Sequence, residues 1–546
     1  MALAETAQLR PVPEVTRLRR RPPVALWTAA GLVGLAAVLP VFYLAVRALD
    51  GGAAGAAELL FRARTLDILI STAALILTVT FFSMAIALPV AWLTMRTDMP
   101  FRRVLSVVSV LPLVVPSFVL AMTAISVAGP RGMLQRALES PFGIERLPSI
   151  YGLPGATLVI VIVSYPYVLL TVRSALRRMD PSLEEASRTM GYGAFRTFRS
   201  VTLPLLRPAL AAGALLAALY ALSDFGAVAL MRYETFTWAI FVQYESAFDR
   251  SIAATLSLVL VALAVVILLA EGFTRGSGAY HRISAGAVRP MRPVELGAWR
   301  WPAFTFTMIP VIAGLIIPVG LLLFWLVRGV TNGEQMLPLW GPTRNSVYVS
   351  FLAAVVTLAA AVPVAVLAVR YRSIMSRLIE RATYIGFGLP GIVVALSLVF
   401  FGVNVALPLY QTTALLVVGY AMLFLPAAVG ALRASLLQVS PRVEEAAQSL
   451  GRPQWRVILT VTLPLVMPGA LAGAAIVFLM TMKELPATLI LSPIGFKTLA
   501  TSIWGSATEA FFARTAAPAL LLILASGLPT AYLVLRDRNR NSVDVS

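Results

Sequence analysis

Long apolar runs recur along the whole of this 546-residue chain. Each run approaches or exceeds the roughly 20 residues that an α-helix needs to cross the hydrocarbon core of a bilayer. Shorter polar segments separate the runs. The pattern predicts an all-α, polytopic membrane protein with twelve spans, near residues 24–46, 67–95, 104–128, 153–172, 208–231, 252–271, 302–327, 345–369, 382–404, 410–432, 468–491 and 515–535.

The composition agrees with a membrane protein, because 59% of the residues are apolar and 13% are charged, against about 45–50% and about 25% in soluble domains. A formal net charge of +19 would suggest nucleic acid if the chain were soluble. Here most of the basic residues fall in alternate segments between the spans, as the positive-inside rule describes. We therefore expect both termini on the cytoplasmic side, a lipid bilayer as the surroundings and no nucleic-acid partner.

Metal and cofactor chemistry has little support in the sequence. The chain has no cysteine and one histidine, so a thiolate zinc site or an iron–sulfur cluster cannot form within it. His281 lies in a predicted inner loop. We expect no cofactor, no metal site and no catalytic residue in this chain.

An internal repeat is the most informative feature. Residues 180–208 match residues 440–468 at a constant offset of 260, with twelve of 29 positions identical. Six predicted spans separate the copies, and this even number gives both halves the same orientation. The predicted organisation is a cytoplasmic tail at 1–23, a six-helix half at 24–271, a cytoplasmic linker at 272–301, a second six-helix half at 302–536 and a tail at 537–546.

Each copy of the repeat predicts a short helix at the inner surface. Asp180 and Ser440 are expected N-caps, and each is followed by a proline, which the first helical position tolerates. Gly191 and Gly451 are expected to end the helices in the left-handed conformation. A helix this short and polar cannot span, so it should expose a small apolar face. The expected face comprises Leu183, Ala186 and Met190 in the first copy, and Val443, Ala446, Ala447 and Leu450 in the second.

At these residues the chain resembles the permease subunits of binding-protein-dependent ABC importers, whose loop follows E-A-A-x3-G-x9-I-x-L-P. The resemblance implies a bacterial inner-membrane protein whose short helices, the coupling helices, dock on two copies of an ATP-binding subunit. It also implies a periplasmic or extracellular substrate-binding protein as a partner. The residues expected to carry the coupling are Glu184, Glu185, Ala186, Gly191, Leu203 and Pro204, and in the second copy Glu444, Glu445, Ala446, Gly451, Leu463 and Pro464.

The ATP-hydrolysing site should lie on another polypeptide. A phosphate-binding loop needs a lysine in the pattern G-x4-G-K-[ST]. The chain has only Lys483 and Lys497, which follow Met482 and Phe496, so neither fits the pattern. The chain is therefore predicted not to be an enzyme.

Three ionisable residues, Asp224, Lys483 and Glu484, fall inside predicted spans. Such groups are costly in the bilayer and normally face protein or water. One interpretation places them along the translocation path, and the other makes them hydrogen-bond or ion-pair partners that hold the helices together. Lys483 and Glu484 need not pair with each other, because adjacent helical residues point in different directions.

The segments 483–488 and 498–504 are similar to those of ferric-iron importer permeases, which are also fused twelve-span chains. Permeases for thiamine, phosphonate and polyamine are related, so these cargoes stay open. Fe(III) prefers oxygen ligands, yet no carboxylate cluster with ligand spacing occurs. The resemblance implies that the binding protein selects the cargo.

Two other classes compete with this interpretation. A secondary transporter with two parallel halves would also give twelve spans and a repeat, but it would not need duplicated polar helices on the inner side. A membrane-embedded enzyme would need His, Cys or paired acids within its spans. The outer segments 232–250 and 492–514 contain aromatic residues, including Trp238 and Trp504, which could receive the binding protein or anchor the membrane interface.

Overall fold

A computed structural model describes residues 22–50, 53–143, 147–246, 250–274, 293–371 and 373–543. These residues are almost entirely helical, and one isolated bridge between Thr97 and Val294 is the β contact found among them. The first half contains α1 Val24–Leu49, α2 Ala53–Leu60, α3 Ala63–Arg96, α4 Arg102–Val108, α5 Ser117–Ala128, α6 Met133–Phe142, α7 Leu153–Arg178, α8 Pro181–Thr189, α9 Ala194–Thr197, α10 Leu203–Ser223, α11 Gly226–Leu230, α12 Phe236–Ser246 and α13 Arg250–Thr274.

The second half repeats this order after the connection between the halves. It contains α14 Arg300–Val311, α15 Ile317–Thr331, α16 Trp340–Arg370, α17 Ile374–Gly388, α18 Gly391–Asn404, α19 Thr413–Gln438, α20 Pro441–Ser449, α21 Gln454–Val457, α22 Leu463–Met482, α23 Pro486–Leu491, α24 Leu499–Thr508 and α25 Phe512–Val543. Each half therefore places a short helix, α8 or α20, directly after α7 or α19, the most buried of its long helices.

Each predicted span has a helical counterpart. Among the described residues, ten helices are long and apolar enough to cross a membrane, and an eleventh span is formed by a pair of helices bent by 104° around residues 387–390. The twelfth corresponds to α25, whose apolar part, Phe512–Gly527, is shorter than a full span. The prediction of an all-α, multi-pass protein is confirmed.

The spans predicted over 104–128 and 382–404 are not single continuous helices. In both halves the third span breaks immediately before a helix that follows a proline, Pro116 before α5 and Pro390 before α18. Val115 and Leu389 are extended, with ψ of 121° and 120°. A proline ring disfavours helical backbone in the residue before it, so the break arises from local sterics.

The fifth span of each half, predicted at 208–231 and 468–491, is also broken. Asp224 leaves the helical conformation with ψ of 129°, and α11 then starts a short new helix. In the second half, residues 483–485 separate α22 from α23, which begins at Pro486. The charged residues predicted inside these spans thus lie at the breaks and not along continuous helices.

The two halves are interlocked, because the first helix of each half packs on the other half. Helix α1 lies against α16, α17 and α18, and the Tyr43 hydroxyl donates to the Phe400 carbonyl over 3.2 Å. Helix α15 lies against α5 of the first half, as well as against α25 of its own half, and Trp325 Nε1 donates to Ser126 Oγ over 2.8 Å. One buried apolar cluster consequently runs through both halves, so they form a single packed unit.

The end of the connection between the halves docks beside the last turn of α3. The Val294 amide donates to the Arg96 carbonyl over 2.8 Å, and the Leu296 amide donates to Asp98 Oδ1 over 2.9 Å. The Leu296 amide, followed by the Arg300 guanidinium, holds the pKa of Asp98 below its usual range. His281 and residues 275–292 of the predicted linker lie outside the described residues.

The predicted outer segments contain helices of their own, α12 and α24. The expectation that Trp504 anchors the membrane interface is wrong, because its side chain is only 8% exposed. Its ring lies 5.1 Å from that of Phe225, which also contacts Trp238 and Phe241. This aromatic cluster joins the outer segments of the two halves next to the break in the fifth span of the first half.

Candidate coupling helices and central helix breaks

The two short surface helices begin as the sequence predicts. Asp180 Oδ1 accepts a hydrogen bond from the Ser182 amide over 3.0 Å, and Ser440 Oγ accepts one from the Arg442 amide over 3.3 Å. Both bonds satisfy amide groups that the first turn of a helix leaves free. The predicted N-caps are therefore confirmed.

Both helices also end as predicted. Gly191 and Gly451 have φ of +86° and +83°, in the left-handed region that glycine enters without steric cost. The amide of the next residue donates back into the helix, from Tyr192 to the Ser187 carbonyl and from Arg452 to the Ala447 carbonyl. These bonds form the capping motif typical of a glycine-terminated helix, and they set the direction in which the chain leaves it.

Each short helix presents an exposed apolar face flanked by a carboxylate. Met190 is 68% exposed and Leu450 is 83% exposed, and Glu185 and Glu445 are exposed as well. The face also includes Leu183, Ala186, Val443 and Ala446. The inclusion of Ala447 is wrong: it is buried, because it lies three residues after Glu444 on the inward side of the helix.

Glu184 and Glu444 turn away from the exposed face. Glu184 is 3% exposed and Glu444 is half-buried, so both side chains lie on the inward side of their helices. The Leu-Pro pairs follow at the start of α10 and α22, directly after a π-helical turn in each half. Leu463 and Pro464 are exposed, whereas Leu203 and Pro204 are partly buried.

The break in the fifth span of the first half is organised by Asp224. Its Oδ1 accepts a hydrogen bond from the Ala227 amide over 2.9 Å, and its carbonyl accepts one from Thr237 Oγ1 over 2.7 Å. The Ser117 hydroxyl, at the start of α5, lies beside the same carboxylate. Asp224 is 7% exposed. Its contacts with Ala227 and Ser117 place it where two helices begin, α11 and α5.

The second half reproduces this arrangement with Glu484. Its Oε1 accepts a hydrogen bond from the Ala487 amide over 3.2 Å at the start of α23. The carboxylate also packs on Gly391, the first residue of α18, so closely that any side chain there would displace it. The positive ends of helix dipoles stabilise a negative charge, which accounts for a carboxylate at each break.

Lys483 connects the two halves. Its ammonium donates to the Leu113 carbonyl over 3.1 Å, in the short 3-10 turn before α5. Lys483 and Glu484 both keep part of their surface accessible, and no ion pair joins them among the described residues. The lysine therefore satisfies one of the carbonyls that the broken third span leaves free.

The two central breaks meet in the middle of the molecule. A Cβ atom placed on Gly226 would lie 2.6 Å from Phe118 Cβ and 3.4 Å from Leu485 Cδ2 of the other half. Phe225 and its counterpart Leu485 are each 2% exposed. The halves thus close against each other where their fifth spans are interrupted.

Among the described residues, no group of three or more His, Asp or Glu side chains could hold a metal ion. Sequence reasoning missed two arginines that lie behind the surface helices, Arg96 and Arg370. The one sequence feature that could have pointed to them is their position, because each is the last residue of the second span of its half. The structure brings them to Glu184 and Glu444.

Comparison with known proteins matches both halves to one family. Residues 83–276 and 358–538 each match the family described as binding-protein-dependent transport system inner membrane component. The chain is 36% identical, over 94% of its length and 98% of the relative, to the Fe(3+)-transport system permease protein FbpB 2 of Haemophilus influenzae.

More distant relatives match less of the chain. The ferric transport system permease protein FbpB of Actinobacillus pleuropneumoniae is 24% identical over 76% of this chain and 62% of the relative. The molybdenum transport system permease protein ModB of Escherichia coli is 32% identical over 34% of this chain and 83% of the relative. With two family segments and an end-to-end relative, the chain belongs to the inner-membrane permease subunits of binding-protein-dependent ABC importers, which work with ATP-binding and substrate-binding partners.

Proposed function

We propose that this chain forms the complete membrane pathway of an ABC importer for ferric iron, with one copy serving two ATP-binding subunits and a substrate-binding protein. The observation that carries the proposal is the pair of exposed surface helices, one in each half of a single chain. The 36% identity over nearly the full length of a Fe(3+)-transport permease supports the cargo.

In this proposal, α8 and α20 are the coupling helices. ATP binding draws the two ATP-binding subunits together and moves both helices with them. Rigid spans carry the movement to the central breaks, where separation of Gly226 from Leu485 opens the path. Both termini, the predicted linker at 272–301 and the coupling helices then lie on the cytoplasmic side, and the halves at 24–271 and 302–536 act as equivalent units.

The proposed role of Asp224 and Glu484 is electrostatic. A ferric ion crossing the breaks passes two carboxylates at the N-termini of α11 and α23, and oxygen is the ligand type that this hard cation prefers. Lys483 lies beside the same path. Its positive charge disfavours lasting retention of a cation, which suits a permease that must release its cargo.

The chain by itself is predicted to have no ATPase activity. It has no lysine in a phosphate-loop pattern, and positioning of ATP phosphates in this class of motor depends on that loop. Phosphate release is measured from the purified chain in lipid, with and without the ATP-binding subunits. Hydrolysis by the chain alone, still present after a second purification step, would contradict the prediction.

The cargo prediction is ATP-dependent uptake of Fe(III). Proteoliposomes containing the assembled complex are supplied with its own binding protein and with Fe(III), molybdate, thiamine, a phosphonate or a polyamine. We expect iron to accumulate and the other compounds neither to accumulate nor to compete. Molybdate is the sharpest control, because a molybdenum permease is 32% identical to this chain over 34% of its length. Uptake of another compound without iron would overturn the cargo and leave the permease assignment intact.

A further inference from the structure

A buried polar joint lies behind each coupling helix. In the first half Glu184 Oε1 accepts a hydrogen bond from Thr202 Oγ1 over 2.9 Å. In the second half Glu444 Oε1 accepts one from Thr462 Oγ1 over 3.0 Å. Each bond ties the first turn of the coupling helix to the residue just before α10 or α22, the helix that leads to the central break.

Each joint also contains an arginine, which contacts the glutamate from the end of another helix. Arg370 Nη2 lies 2.7 Å from Glu444 Oε1 and donates to the Val439 carbonyl over 3.2 Å. Arg96 Nη2 lies 3.9 Å from Glu184 Oε1 and donates to the Leu176 carbonyl over 3.0 Å. Since Arg96 ends α3 and Arg370 ends α16, each arginine connects the second span, the end of the fourth span and the coupling helix.

A π-helical turn occurs at the same point of both joints. It covers Phe198–Thr202 in the first half and Ile458–Thr462 in the second. In each case the threonine that contacts the glutamate is its last residue. Single π-turns are rare within helices and are frequently found at functional sites, so their coincidence with the two threonines is a second, independent sign of a specialised joint.

A neighbouring pair of residues shows that packing at this place does not by itself require polar side chains. Ser187 Oγ and Thr197 Oγ1 are 3.0 Å apart in the first half. The corresponding residues of the second half are Ala447 and Val457, which are both buried and apolar. This inner position thus changes from polar to apolar between the halves, whereas the arginine, glutamate and threonine occur in both.

From this arrangement, and resting on the proposed function, we propose that Arg96–Glu184–Thr202 and Arg370–Glu444–Thr462 are positioning sites. They fix each coupling helix to three spans, so that its displacement by the ATP-binding subunit moves those spans as one body. None of the six residues belongs to the exposed docking face. Loss of a joint should therefore leave the ATP-binding subunit attached while the spans no longer follow the coupling helix.

The second half offers the cleaner test, because its ion pair is shorter and more exposed than that of the first half. Thr462→Val removes the hydroxyl and keeps the shape, Thr462→Ser keeps the hydroxyl, and Glu444→Gln removes the charge. Glu380→Gln is the matched control: the Glu380 side chain is about as exposed as that of Glu444, pairs with Arg433 over 3.1 Å and has no contact with the coupling helix among the interactions observed.

Two measurements on the assembled complex separate positioning from a merely structural role. The first is the number of cargo ions transported per ATP hydrolysed. The second is the distance distribution between spin labels at Ser182→Cys and Arg442→Cys, equivalent positions on the two coupling helices. A chain with no cysteine allows this labelling without further changes.

We expect Thr462→Val and Glu444→Gln each to lower the transport-to-hydrolysis ratio by about tenfold, because Thr462→Val loses a hydrogen bond to a charged group and Glu444→Gln loses the charge that pairs with Arg370. The label distances should broaden, and the ATP-binding subunit should still co-purify. Thr462→Ser and Glu380→Gln should resemble the unmodified complex. Unchanged ratios and unchanged label distances in both disrupting variants would overturn the proposal. Failure of the unmodified complex to transport Fe(III) would instead contradict the proposed function, and the label distances would still test the joint.

Discussion

Replacing Gly191 or Gly451 by valine is expected to lower uptake by about tenfold while the chain still inserts into the membrane. Both glycines have positive φ, and no atom lies within 4 Å of a Cβ built on either. The cost is therefore conformational and amounts to about 1–2 kcal/mol for a residue with a side chain in the left-handed conformation. A free-energy difference of about 1.4 kcal/mol corresponds to a tenfold change in an equilibrium constant. The relaxed backbone would redirect the end of the coupling helix and weaken its fit to the ATP-binding subunit.

A neighbouring glycine provides the matched control. Gly193 also has open space around its Cβ position, but its φ is −65°, which valine adopts without strain. Gly193→Val should leave both uptake and co-purification of the ATP-binding subunit unchanged. The paired change Glu185→Ala with Glu445→Ala tests the same docking through the exposed carboxylates. Full transport and undiminished co-purification in all the coupling-helix variants would remove these helices from the mechanism.

Neutralising the central carboxylates should also reduce Fe(III) uptake by about tenfold or more. Glu484→Gln and Asp224→Asn keep an acceptor for the amides of Ala487 and Ala227, so the short helices α23 and α11 can still be capped. What disappears is the negative charge. Charge-assisted hydrogen bonds are worth about 1.5–3 kcal/mol, and a passing cation would meet Lys483 without compensation. Uptake at fixed ATPase activity is the measurement.

Alanine variants distinguish the pathway role of these residues from a structural one. If Glu484→Gln and Asp224→Asn transport normally while Glu484→Ala and Asp224→Ala do not, the carboxylates act only as helix caps. Glu334→Gln serves as a control, because it removes an exposed carboxylate in the turn after α15, away from the breaks. Its uptake should match that of the unmodified complex.

The features that follow from short stretches of sequence were predictable. Apolar runs long enough to span a bilayer identified the helices, and the repeat at 180–208 and 440–468 identified the duplication. The caps at Asp180 and Ser440 and the left-handed Gly191 and Gly451 followed from preferences that act within one helical turn. The prolines at 116 and 390 carried a local signal for the broken third spans, but the length of the apolar runs obscured it.

Contacts between distant segments required the tertiary structure. Hydropathy treats Asp224 and Glu484 as residues of a span, and only folding places each one at the meeting point of two helix N-termini. Trp504 is a tryptophan in a predicted outer segment, where a membrane-interface anchor is expected, yet it is buried against Phe225 of the other half. Arg96 and Glu184 are 88 residues apart in the sequence, and no pattern along the chain links them. Sequence alone determined the class, the spans and the surface helices, because local backbone preferences and bilayer thickness act over one helix. The interlocked halves, the central closure and the joints behind the coupling helices were decided by packing between helices, which depends on all of them at once.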